Sequence, residues 1–348
     1  MFSFIGRRLL VAIPTLLMVV TLAFFMMRAA PGSPFDTDRR LSPEIEANVL
    51  AKYGMNKPLG AQYLDYLSGV ARGDLGPSLK YKDKSVLEIL NENYLVSLKL
   101  GASAILLAAL IGVSLGVLAA LRQNRSVDYG VMTVAVLGVC IPTFVTAPVL
   151  VLAFASKLGW LPGAGWNDGA FLNMVMPVTV LALPQIAIIS RLTRAGMVEV
   201  LHSNYVRTAR AKGLPESRIV MRHALRAAIL PLVSYLGPAC AGLITGSLVV
   251  EKIFNLPGLG KFFVVSALQR DYTVVMGMVI FYAALILVLN LVADLLYAML
   301  DPRVRLARAR PCWFPDRAMG RRPCRARRSR GAASGTTRGA GCCATAAR

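Results

Sequence analysis

The sequence predicts an all-α integral membrane protein with six spanning helices. Three observations carry that expectation. Of the 348 residues, 56% are hydrophobic and only 16% are charged, too apolar a balance for a soluble domain of this length. Residues 9–27, 100–121, 131–156, 170–190, 227–250 and 274–300 run nearly free of charge. Each approaches or exceeds the ~20 residues needed by a helix rising ~1.5 Å per residue to cross ~30 Å of hydrocarbon. No segment shows the strand alternation from which a closed membrane barrel is built.

The first run follows Arg7 and Arg8 and ends near Ala29-Ala30, a pattern shared with secretory signals. Its length, about 19 residues, exceeds the usual 7 to 15 of a signal core and favours an uncleaved span. Residues 31–95 carry mixed charges, with helical pieces at 43–52 and 62–71 and turn formers at Gly54, Gly73 and Gly76, and read as a small ordered outer subdomain. The second run ends at Arg122 and Arg125, whereas Lys157 is the only base between the third and fourth. Between the fourth and fifth lie Arg191, Arg194, Arg207, Arg210, Lys212, Arg218, Arg222 and Arg226; after the fifth, Lys252, Lys261 and Arg270 are offset by Glu251 and Asp271. Because bases collect in inner loops, these clusters place both termini in the cytoplasm and residues 31–95 outside. Pro14, Pro142, Pro148, Pro177, Pro184, Pro231 and Pro238 suit packed membrane helices, where neighbours satisfy the backbone groups that proline frees.

The net charge of +21 comes largely from arginines after Arg303, which argues against a nucleic-acid partner and for membrane lipid as the surrounding phase. From about Ala309 the chain has neither helical nor strand period and is expected to be disordered. It reads either as a basic arm on anionic lipid, each base adding about 1 kcal/mol, or as the product of reading past a stop or out of frame. Four of the six cysteines lie in this tail, while Cys140 and Cys240 read as small buried groups within spans. No disulfide framework or zinc spacing results. His202 and His223 have no companion at metal spacing, which disfavours a membrane hydrolase or metalloprotease.

Residues 257–261, Pro-Gly-Leu-Gly-Lys, approach a phosphate-binding loop but have Asn255 where that motif needs glycine and Phe262 where it needs Ser or Thr; they read as a structural turn. Asp294, inside the sixth run, is a candidate for a proton or substrate role or for a structural one near the inner interface. The inner loop, residues 199–231, has helix formers before Gly213-Leu214-Pro215 and again from Glu216, predicting two helical pieces around a sharp turn. Such a protrusion suits a channel driven by a separate soluble motor; the alternative is a basic loop that only fixes topology.

The segment Tyr205-Val206-Arg207-Thr208-Ala209-Arg210-Ala211-Lys212-Gly213-Leu214-Pro215, with Arg222-His223-Ala224-Leu225-Arg226 and Leu230-Pro231, resembles the coupling loop of peptide-type ABC importer permeases. Further blocks agree in order: Arg28-Ala29-Ala30-Pro31-Gly32-Ser33-Pro34-Phe35, Gly73-Asp74-Leu75-Gly76, Lys80-Tyr81-Lys82-Asp83, Leu161-Pro162-Gly163, Leu256-Pro257-Gly258-Leu259-Gly260, Arg270-Asp271-Tyr272 and Asp301-Pro302-Arg303. Over residues 1–306 the chain is similar to the B-type membrane subunits of the oligopeptide and dipeptide permease family.

The resemblance implies the type I importer permease (MetI-like) fold in a bacterial cytoplasmic membrane. Residues 1–30 would form the N-terminus and first span, 31–95 an extracytoplasmic segment, 96–306 a five-helix core with its coupling loop at 191–227, and 307–348 a tail without counterpart. It implies as partners a homologous second permease subunit, two ATPase subunits that bind ATP and Mg, and an extracytoplasmic peptide-binding protein. No cofactor or catalytic residue is implied in this chain, and the residues implied to contact the ATPase are Tyr205, Val206, Arg207, Thr208, Ala209, Arg210, Ala211, Lys212 and Gly213. The general importer pattern has Glu-Ala-Ala where this chain has Arg207, Thr208 and Ala209, so no glutamate contact carries over. Alternatives are a permease for dipeptides, glutathione or nickel, a secondary transporter, which would show paired mid-membrane ionisable groups, and a scaffolding membrane subunit. A chain ending at Leu306 is expected to insert, assemble and transport like the full chain, as uptake at matched expression can check.

Overall fold

The computed structural model describes residues 2–29, 56–81 and 84–300; the expected helix at 43–52 and the tail 307–348 lie outside them. The charge-free runs become long helices. α1 is Phe2–Ala29, and α2, Leu59–Ala71, covers the helix expected at 62–71. α3, Val86–Leu121, starts in a capping box: Ser85 Oγ accepts from the Glu88 N–H at 3.2 Å and Glu88 Oε2 from the Ser85 N–H at 2.9 Å. At 36 residues it is about 54 Å long, more than the hydrocarbon thickness. Its first turns, with Glu88, Glu92 and Asn93, therefore stand outside the lipid, and the helix passes residue 95 without interruption.

The third run, expected as a span at 131–156, is a broken helix. α4, Ser126–Cys140, and α5, Thr143–Leu150, which continues as a π-helical segment Val151–Lys157, are bent by 99° at their junction. Pro142 has no N–H to continue the ladder and holds Ile141 extended, at φ −85° and ψ 115°. α6 is Phe171–Leu201; α7, Asn204–Ala211, and α8, Glu216–Arg218, follow, the latter running through a π segment Ile219–Ala224 into α9, Leu225–Ala228. The last elements are α10 (Leu230–Gly246), α11 (Leu248–Ile253), α12 (Leu259–Leu268) and α13 (Tyr272–Leu300). Among the described residues five segments are long and apolar enough to cross a membrane, and six with the bent pair counted as one.

The centre of the bundle is α3 packed along α6. Gly101, Ala104, Ala108, Gly112 and Gly116 recur at spacings of three or four on one buried face of α3. A Cβ built on Gly112 would lie 2.8 Å from Ile189, and one on Gly116 2.6 Å from Thr193. Small residues let the two backbones approach, as membrane helices require when lipid offers no hydrophobic drive to associate. Leu100, Val180, Ile189 and Leu256 complete this core with no exposed surface. Pro177 and Pro184 sit inside α6 without breaking it.

Two ion pairs tie helix ends together. Arg194 on α6 grips Asp128 on α4 with two bonds, Nε to Oδ1 at 2.5 Å and Nη2 to Oδ2 at 2.6 Å. The Asp128 side chain is 2% exposed and also accepts from the Asn124 N–H at 2.9 Å. Arg194→Ala would strand this carboxyl and is expected to cost about 3–5 kcal/mol, more than the paired change Asp128→Asn with Arg194→Gln; thermal unfolding of the purified variants checks the order. Arg8 on α1 lies 3.0 Å from Asp294 on α13, so the acid singled out within the sixth span is engaged in joining two helices. The cysteines depart from expectation: Cys140 is exposed and Cys240 half-buried, because the bend turns Cys140 away from the core.

Candidate functional site

The basic loop between α6 and α10 folds into a two-helix knob. α7 has only eight residues, too few to hold a helix in water unaided, so its stability comes from packing. Val206 and Ala209, one turn apart, are 0% and 8% exposed and close on Ile219 from the other side of the turn, with Val200 and Leu214 around them. The remaining residues of the predicted contact, Tyr205, Arg207, Thr208, Arg210, Ala211, Lys212 and Gly213, are exposed. The nine residues thus divide into two anchors and seven that form an outward surface.

The turn is a Schellman motif. Gly213 N–H donates to Arg210 O at 2.9 Å and Leu214 N–H to Ala209 O at 3.4 Å, while Gly213 sits at φ +74°. Leu214 completes it by packing against the Val206–Ala209 face. Across the turn Arg210 Nε donates to Glu216 Oε1 at 2.6 Å, which raises the guanidinium pKa further above its ordinary value, chiefly through that hydrogen bond. Exposed pairs of this kind contribute at most about 1 kcal/mol; this one fixes the angle between the two helical pieces.

The knob stands on a firm base. Val220, Ala224 and Ala228 pack with Met197 of α6 and Ala120 of α3. The approach of α9 to α6 is so close that a Cβ on Gly196 would lie 2.6 Å from Ala228 O. The knob is thus packed onto α6, which the Arg194–Asp128 pair in turn ties to α4. Arg207, Lys212, Arg218, Arg222 and Arg226 line the exposed side, giving a convex, predominantly positive surface suited to an acidic partner.

Residues 112–306 match the model of the family described as "Binding-protein-dependent transport system inner membrane component", and residues 1–82 match that of its N-terminal region. The chain belongs to this family. It is a multi-pass inner-membrane permease component, a transport subunit and not an enzyme. It is 55% identical over 305 residues to the oligopeptide transport system permease protein OppB of Escherichia coli (strain K12), covering 88% of this chain and 100% of that one. To the dipeptide transport system permease protein DppB of Bacillus subtilis (strain 168) it is 44% identical over 292 residues, covering 84% and 94%. A structure of the MetNI methionine ABC transporter matches 62% of this chain and 97% of its own at a TM-score of 0.51 and 15% identity, which shows a common MetI-like fold.

At the end of the bundle away from the knob two buried acids organise the motifs that the sequence marks only as turns and surface charge. Glu251 and Asp271 were expected to offset nearby bases, yet both are 0% exposed. Glu251 Oε1 accepts from Ser97 Oγ of α3 at 2.7 Å and from Ser247 Oγ at 2.5 Å, and Oε2 accepts from the Lys261 N–H at 3.1 Å. Ser97 Oγ in turn accepts from the Leu259 N–H at 2.9 Å, so the first turn of α12 is capped from a distance. Gly258 and Gly260 are small for a physical reason: a Cβ on either would collide with the Glu251 carboxyl. The loop at 257–261 is thus a structural turn built around an acid.

Asp271 does the same for α13. It accepts from Ser78 Oγ at 2.5 Å, from the N–H groups of Leu79 and Lys80 at 3.2 Å each, and from the Val274 N–H at 3.3 Å. Burial, then the nearby Asp271, push the Tyr81 phenol up from its ordinary pKa. The acid therefore holds residues 78–80 against the start of α13. His202 Nδ1 lies 2.7 Å from Val198 O, at the end of α6, consistent with a structural place for that histidine.

Proposed function

We propose that this chain is one membrane-spanning half of an ATP-driven importer that takes up oligopeptides delivered by an extracytoplasmic binding protein. Its partners are a homologous second permease subunit and two ATPase subunits, which hold the ATP and Mg and dock on the knob. The observation that carries this reading is the knob itself: a basic, outward surface on a turn locked by Gly213 and seated on α3 and α6. A loop that served topology alone would need the bases but not the packed anchors. The oligopeptide assignment leans on the relatives of that printed name, at 55% identity in Escherichia coli and 51% in Haemophilus influenzae, above the 44% of the dipeptide permease.

In this mechanism, closure of the ATPase pair moves the knob, α6 follows as its base, and the Arg194–Asp128 pair carries the movement to α4. The path then opens alternately outward, to the loaded binding protein, and inward. Purified complex in vesicles should take up labelled oligopeptide only with ATP and binding protein present. Uptake driven by an ion gradient without ATP would overturn the reading.

In this reading both termini lie inside and α2 outside, because bases collect in cytoplasmic loops. A cysteine at Asp65, which is exposed and pairs with Lys57 at 2.6 Å, should react with an impermeant thiol reagent added outside. Labelling from the cytoplasmic side alone would reverse the assignment.

A further inference from the structure

The junction of α4 and α5 leaves polar backbone uncovered at membrane depth. From Asp128, held at the inner end by Arg194, to Ile141 the chain rises about 20 Å along α4, some two-thirds of the ~30 Å hydrocarbon layer. Pro142 has no N–H to donate. Among the described residues no backbone hydrogen bond reaches the carbonyls of Gly138, Val139, Cys140 or Ile141, and none is donated by the N–H groups of Thr143 or Phe144. The Pro142 carbonyl, by contrast, accepts from the N–H groups of Val145 and Thr146 at 3.0 and 3.1 Å. The break thus presents four acceptors and two donors side by side.

This face is not covered by the chain. Cys140, Ile141, Pro142 and Phe144 are exposed, and the helix is next anchored in the core by Ala147, which is fully buried. Irregular backbone at membrane depth is tolerated only where protein buries it or water reaches it, because hydrocarbon supplies no hydrogen bonds. An apolar helix of the second permease would cover the break without satisfying it, its own backbone donors being already used. Water and a polar substrate satisfy it.

We infer that the break at residues 138–144 lines the translocation path, where its free carbonyls and N–H groups bind the backbone of the passing peptide. Contacts of this kind read the repeating amide and ignore side chains, as a carrier of varied peptides requires. The substrate class rests on the importer reading above; the placement of the break in an aqueous path rests on the bend and its exposure. The α4 helix joins this site to the knob, since the Arg194–Asp128 pair at its other end ties it to α6, on which the knob is packed.

Cys140 provides a native probe. The full complex is reconstituted in vesicles with binding protein, and the chain's other cysteines, Cys240 and the four of the tail, are changed to serine. A charged, impermeant methanethiosulfonate is expected to modify Cys140 at least tenfold faster during ATP turnover than a control cysteine at Met18→Cys, on the exposed outer face of α1. Saturating peptide should slow the modification, and modification should reduce uptake; a Cys140→Ser chain should show neither effect. Reaction only with a lipid-soluble maleimide, at the rate of the Met18 control, would place the break against lipid and overturn the inference. So would protection from both reagents together with cross-linking to the second permease. If Cys140 reacts with the charged reagent in an ATP-dependent way but peptide neither protects it nor enters, the peptide reading fails and the path assignment stands.

Discussion

Replacement of Gly213 by valine is expected to uncouple the permease while leaving its amount in the membrane unchanged. Gly213 holds φ +74° at the turn between α7 and α8, and a Cβ there meets nothing within 4 Å. The penalty is therefore conformational and not steric crowding. A residue with a Cβ in this region costs about 1–3 kcal/mol, and a β-branched one sits at the upper end. A global fold held by α3 and α6 absorbs that. The knob does not, because α7 is two turns long and depends on the turn to bring Val206 and Ala209 onto Ile219. Peptide uptake and ATPase retention should both fall about tenfold or more, taking about 1.4 kcal/mol per decade. Asparagine tolerates the left-handed region, so Gly213→Asn should retain most activity. Arg207→Glu should also weaken docking, by reversing charge on the exposed face. Wild-type uptake in both Gly213→Val and Arg207→Glu would leave the loop as a topology signal and nothing more.

Much of this arrangement is visible in the sequence, and the parts that are not share a cause. The spans follow from charge-free runs because insertion depends on summed apolarity. The knob follows from helix formers on either side of Gly213-Leu214-Pro215, a local pattern with a local consequence. The break at Pro142 did not, since mean hydropathy over residues 131–156 is blind to geometry. Pro142 also looks no different from Pro177 or Pro184, which the packing of α6 against α3 accommodates within one helix. The stripe Gly101, Ala104, Ala108, Gly112, Gly116 has a helical period of small residues, which a count of large apolar residues does not register. The two buried acids were beyond reach. Glu251 meets Ser97 across 154 residues and Asp271 meets Ser78 across 193, and each has a base nearby in sequence that suggests surface pairing. The resemblance had marked the turns around them without explaining why those residues recur.

The acid at position 251 supports the second large effect. Glu251→Ala would leave Ser97 Oγ, Ser247 Oγ and the Lys261 N–H, which now converge on one carboxyl, facing a cavity at a site with no solvent exposure. Each buried donor left unpaired costs about 1–3 kcal/mol, and although the two hydroxyls can turn toward backbone carbonyls, the N–H cannot. A loss of about 3 kcal/mol or more is expected, confined to the outer end where α3, α11 and the start of α12 meet. Glu251→Gln should be milder. Its oxygen can keep both serine hydroxyls, but its amide then faces the Lys261 N–H, donor against donor, and one bond is lost. The order of thermal stability should be wild type, Gln, Ala. Because the knob lies at the opposite end of α3 and shares no partner with this network, effects at distant sites should add: the ATPase subunits should remain bound to Glu251→Ala even as hand-over from the binding protein fails. Equal loss of both functions would mean that Glu251 supports the whole bundle, and that the outer end is not an independent unit of stability.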